Sequence, residues 1–164
     1  MTLSALAVWI HVLIVFWLVA GILARDRCYE RAARTDDLQR LDWLIEMGGH
    51  FERSMVRPAT FAVLVAGLIA AWARGWPILG FLQGGSSNWV LASLLIYLSI
   101  IPVIFFVFIP RGRVFRAALD EAKGLGHVTP RLKAALGDRA VAAARTYELL
   151  MIGAITALMV TRSF

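Results

Sequence analysis

His11 sits inside Leu3–Ala24, a run with no other ionisable residue. An imidazole at that depth in a membrane usually faces the interior of a helix bundle or a polar cavity. It could ligate haem b or a metal ion, or carry a proton. The plainer reading is a neutral histidine donating one hydrogen bond to a neighbouring helix. Ser4, His11, Leu18 and Arg25 recur every seven residues, so they share a face that should point inward.

Depth limits which residues could join His11. It lies about 10 Å below the nearer surface at ~1.5 Å rise per residue. Tyr97 and Met151 fall at a similar depth on the third and fourth apolar runs and are the candidate second ligands or neighbours. His50 and His127 lie toward the opposite surface, more than about 20 Å away, too far to share one iron.

Arg145 and Glu148 are the second candidate. They stand three residues apart, on one face of a helix. A lone carboxylate two to three turns inside an apolar run is costly, and a nearby arginine relieves the cost. We read the pair first as an inter-helix lock and second as a proton or cation site. Glu52, Arg53 and Arg57 read as interfacial anchors. Cys28 is the single cysteine. It reads as a structural thiol and excludes an internal disulfide or a multi-cysteine metal cluster. There is no HExxH, no phosphate-cradling glycine loop and no nucleophile elbow, so the reading leans away from an enzyme.

The elements that must position these groups are four long apolar runs, about residues 3–24, 56–74, 89–110 and 140–161. Each approaches the ~20 residues that cross a hydrocarbon core. Hydrophobic residues make up 60% of the 164 and mean hydropathy is +0.72, above the ~45–50% apolar content of soluble domains. The expected fold is all-α: a four-helix transmembrane bundle with short amphipathic cytoplasmic helices, forming one integral membrane domain over residues 1–164. The +6 charge does not imply nucleic acid, because the basic residues flank the spans. Arginines crowd the segments between runs one and two (Arg25 to Arg57) and between runs three and four (Arg111 to Arg139). The Gly75–Asn88 loop has only Arg74 at its edge, and the C-terminus only Arg162. By the positive-inside rule both termini and that loop face outward. Positive charge follows the first run instead of preceding it, so the run reads as an uncleaved helix.

Between the runs, Thr35–Asp37 reads as a helix break and new N-cap. Leu38 to Met47 then reads as an amphipathic helix lying along the inner membrane face and ended by Gly48–Gly49. Pro58 begins the second span, or kinks it if helix already starts near His50. Pro102 should bend the third span, and Pro110 should mark its end. Small residues recur every four positions at Ala62, Ala66 and Ala70, and again at Gly153 and Ala157. Such faces pack helices closely in lipid, so spans two and four should touch one another, or a second copy or another membrane protein.

Trp9–Ile10–His11–Val12 with Trp17 and Gly21, then Arg57–Pro58–Ala59 with Gly67, and the ending Leu158–Phe164 resemble the helix patterns of DUF2269, a family of small bacterial membrane proteins. The ending has Arg-Ser where the family usually has Lys-Pro. The resemblance covers the chain and implies a multi-pass protein of the bacterial inner membrane, without implying an activity. The family is distantly similar to a CopD-like group that includes copper-resistance proteins and a haem-associated protoporphyrinogen oxidase. That group's first-helix histidine falls on His11. The methionine-rich copper motif and the lysine at the start of span two are missing, so neither activity carries over.

The orientation is open to cysteine labelling in a Cys28→Ser background. Single cysteines within Gly84–Ser87 should react with an impermeant reagent added outside intact cells. Those within Gly124–Gly126 should react only after permeabilisation.

Overall fold

The computed structural model describes residues 2–85 and 87–161. Arg162 and the end of the Leu158–Phe164 pattern lie outside the described residues. Among those described, every regular element is helical: α1 (Leu3–Ala33), α2 (Leu38–Phe51), α3 (Arg57–Ala73), α4 (Trp89–Leu98), α5 (Ile100–Val103), α6 (Ile109–Leu125), α7 (Pro130–Leu136) and α8 (Arg139–Thr161). They join into four helices long and apolar enough to cross a membrane, Leu3–Ala33, Leu38–Ala73, Trp89–Leu125 and Pro130–Thr161, of 31, 36, 37 and 32 residues. At ~1.5 Å per residue these measure about 46–55 Å, against a hydrocarbon core of ~30 Å. The excess carries the arginine-rich sequence, so the bundle has an apolar shaft and a polar helical head.

Two of these helices are continuous because their prolines are absorbed. Pro58 and Pro110 each follow a π turn by two residues, Glu52–Val56 and Ile104–Phe108. In each turn a backbone N–H reaches back five residues: Arg57 to the Glu52 carbonyl, and Ile109 to the Ile104 carbonyl. A proline ring clashes with the carbonyl four residues back and offers it no N–H. The widened turn relieves the clash and lets the helix pass through. Pro110 therefore does not end its helix. Three residues before Pro102, Ser99 separates α4 from α5, and its hydroxyl donates to the Ile96 carbonyl at 2.5 Å.

The expected flat amphipathic helix is replaced by an upright one. α2 runs through Gly48–Gly49 and continues by the π turn into α3, so it stands on the axis of span two. Neither glycine has the left-handed φ that stops a helix. Gly48 instead lets α1 come close, since a Cβ there would stand 3.0 Å from the Tyr29 ring and 3.3 Å from Cys28 Cβ. The apolar stripe of α2 then fills the head: Leu41, Leu44 and Ile45 bury against Ala32, Ala118, Leu119, Ala122 and Leu132. The break at Thr35–Asp37 falls as the sequence indicates. Asp37 caps α2, accepting from Gln39 N at 2.9 Å and Arg40 N at 3.3 Å. Gly126 ends α6 at φ 74°, and Thr129 accepts from Leu132 N at 3.2 Å ahead of Pro130.

In the shaft, α1 pairs with α3 and α4 with α8. Leu18, Ile22, Val56 and Ala59 form the buried contact of the first pair. Small residues act there rather than between spans two and four. A Cβ on Gly21 would lie 2.7 Å from Met55 Cβ, whereas nothing lies within 4 Å of one on Gly153. Gly21→Ala should therefore force α1 off the Glu52–Val56 turn and cost about 1–3 kcal/mol. Gly153→Ala should be neutral or stabilising by up to about 1 kcal/mol. Thermal unfolding of both variants in mild detergent checks the contrast.

Candidate functional site

The most polar buried cluster gathers around Arg25, one helical turn beyond Gly21. Where Gly21 lets the π turn approach α1, Glu52 at the start of that turn comes within reach. The Arg25 side chain is only 9% exposed and donates three charged hydrogen bonds: Nε to Asp26 at 3.0 Å, Nη1 to Glu52 at 2.9 Å and Nη2 to Glu148 at 2.6 Å. The fork of a guanidinium suits such divergent bonding. Asp26 also faces Arg145 at 3.6 Å, and Glu52 also faces Arg57 at 3.3 Å. Three arginines thus meet three carboxylates. The network ties α1, the π turn and α8 together at the junction of shaft and head.

The pair expected within α8 is not the one formed. Glu148 is held by Arg25 across the bundle, while Arg145 turns to Asp26 and stacks over the Tyr29 ring at 4.6 Å. Glu148 lies on the buried face of α8 with Ala144 and Met151, and Arg145 is one step round the helix from that face. The inward carboxylate meets the inward arginine of α1. Next to Glu148 on α8, the Tyr147 hydroxyl bonds the hydroxyl of Ser99, between α4 and α5.

His11, Leu18 and Arg25 are all buried, so the heptad face of α1 does point inward. His11 is 8% exposed. Its ring lies against Gly67 of α3, with Cε1 3.0 Å from where a glycine Cβ would stand. Among the described residues, neither ring nitrogen has a hydrogen-bond partner. The Val63 carbonyl lies beside the ring but outside bonding geometry. Of the companions expected at its depth, the Tyr97 hydroxyl donates to the Thr60 carbonyl at 2.6 Å, and Met151 is buried on α8, where the next residue, Ile152, packs on the Leu18–Ile22 cluster. Among the described residues, no three His, Cys, Asp or Glu side chains are grouped as metal ligands.

The profile of a family described as predicted integral membrane protein (DUF2269) matches residues 5–163. The chain belongs to that family. No curated protein and no solved structure matches it significantly. The DUF2269 description carries no activity, so function rests on the residues themselves.

Arg25, Asp26 and Glu52 were legible only in part. Arg25 on an inward heptad face is a signal that acidic partners must come to it, since a buried charge needs pairing. Which acids come depends on the π turn and on α8. Ser93, buried with an unpartnered hydroxyl, leaves no signal in the sequence.

Removing Arg25 should be the most damaging single change in the network, because it strands Glu148. Arg25→Ala should cost about 3–5 kcal/mol. Arg145→Ala should cost less, and Arg25→Met combined with Glu148→Leu should recover part of the loss. Equal melting losses for Arg25→Ala and Arg145→Ala in detergent would contradict the assignment of Arg25 as the centre.

Proposed function

We propose that this DUF2269 protein is a non-catalytic integral membrane protein of the bacterial inner membrane, acting as an accessory subunit or scaffold. Both termini would face outward and the arginine-rich head would stand in the cytoplasm. The observation that carries this reading is the Arg25 network, in which every strong charge buried between the helices is paired with another. A catalytic or transport site keeps a reactive group available to its substrate. Here Glu148 is held by Arg25 at 2.6 Å, which speaks against it as a free proton or cation carrier. The single-domain organisation over residues 1–164 is part of the same proposal, supported by one ion network and one head core that draw on helices from both halves of the chain.

One observation favours a second reading. A nine-tenths-buried imidazole with no partner on either nitrogen costs about 1–3 kcal/mol if left dry. A haem iron or metal ion bound at His11 would remove that cost. The residues present fit a site with His11 as protein ligand, its ring nitrogens unengaged among the described residues and the Tyr97 hydroxyl held by the Thr60 carbonyl. Haem bound there would supply redox chemistry in the loop-side half of the shaft, with His11 holding the iron and Gly67 leaving room for the ring.

The visible spectrum separates the two readings. After purification in mild detergent with haem supplied, the accessory reading expects no Soret band above that of free haem. The redox reading expects a band abolished by His11→Ala and retained in His50→Ala and His127→Ala. In liposomes, Glu148→Gln should leave proton and cation flux at the wild-type background.

A further inference from the structure

The third membrane helix is the least buried of the four, and around its boundary it is bare on every side. Ile109, Pro110, Arg111, Gly112, Arg113 and Val114 are exposed in succession, more than a full turn, so every face of the helix there is at least partly open. Phe105 and Phe106, just inside, are 62% and 79% exposed. Nothing lies within 4 Å of a Cβ placed on Gly112. Arg111 is paired with Asp138, whereas Arg113 and Arg116 form no ion pair among the described residues.

The spacing joins these into one surface. Phe105, Ile109, Gly112 and Arg116 follow each other at steps of four, three and four, and Phe106, Pro110 and Arg113 form the adjoining row. Arg113 and Arg116 stand four and seven residues past Ile109, about 6–10 Å. The polar layer of a bilayer leaflet is roughly 5–8 Å deep. The two guanidiniums are therefore at headgroup height when the phenylalanines are among the chains.

We propose that this face of the third helix is a binding site for an anionic phospholipid. Its phosphate is held by Arg113 and Arg116, and its acyl chains lie along Phe105, Phe106 and Ile109. The charge complementarity comes from two arginines set just beyond exposed phenylalanines. Arg113 and Arg116 form no ion pair among the described residues, and guanidinium forks match phosphate oxygens. Gly112 leaves a gap through which the headgroup can approach the backbone.

The test uses the full-length protein in nanodiscs made from equal parts phosphatidylcholine and phosphatidylglycerol, with retained lipid read by native mass spectrometry after transfer to detergent. Wild type should retain phosphatidylglycerol over phosphatidylcholine. Arg113→Gln with Arg116→Gln should lower that preference about thirtyfold, the factor expected for two surface arginines. Arg31→Gln with Arg40→Gln, on α1 and α2, should leave it unchanged. Phe105→Ala with Phe106→Ala should also weaken retention. Three results overturn the proposal: equal loss in the Arg31/Arg40 variant, since the effect is then general charge; displacement by soluble glycerol phosphate at the lipid's own affinity, since the site then takes a free phosphate ester; and unchanged lipid retention in the Arg113/Arg116 variant, whether or not it dissociates a dimer.

Discussion

A guanidinium buried between membrane helices has to be neutralised, and the rest of this bundle is arranged around doing so. Arg25 lies on the inward face of α1 with its side chain 9% exposed, where an unpaired charge would cost several kcal/mol. Its three carboxylates come from α1 itself, from the turn before α3 and from α8. Hydrophobic burial cannot align helices inside lipid, because the tails are as apolar as the side chains. Divergent charged hydrogen bonds from one residue can, since only one relative placement of the three elements satisfies them.

The two π turns are the backbone's part of the same arrangement. Each carries a proline through an uninterrupted helix, and the first also swells toward α1. Gly21 accepts that swelling, and Glu52 rides on it to Arg25. A regular α-helix through Pro58 would present a different residue on that face. The head uses ordinary physics by contrast: Leu41, Leu44, Ile45 and Leu132 are buried from water, each contributing about 1.5–3 kcal/mol. The protein is thus held by hydrophobic burial in the head, by an ion network at the junction, and by close backbone approach in the shaft.

His11 and the third helix are where this economy leaves something unspent. His11 has Gly67 as a close neighbour but no hydrogen-bond partner. The third helix has arginines without carboxylates and phenylalanines without cover. Both are places where polar groups are left without a partner among the described residues. They lie toward opposite ends of the shaft, and neither requires the Arg25 network to move.

The sequence by itself determined the class of fold and the placement of its main breaks. Four apolar runs near the length of a bilayer leave only helices as an option, because backbone groups in lipid must be satisfied within the segment. Asp37, Gly126 and Thr129–Pro130 mark helix ends through local chemistry, which needs no distant partner. The inward heptad of α1 was legible for the same reason, since periodicity is local. Tertiary structure alone decided who meets whom. Glu148 pairs with Arg25 instead of its own neighbour Arg145, because the fold brings α1 against α8 at residues 123 positions apart. Tyr97 donates to the Thr60 carbonyl, because which carbonyl a hydroxyl reaches depends on the neighbouring helix, and no local pattern names it. Gly48–Gly49 continues a helix because α1 packs against it, a contact that turn propensity does not contain.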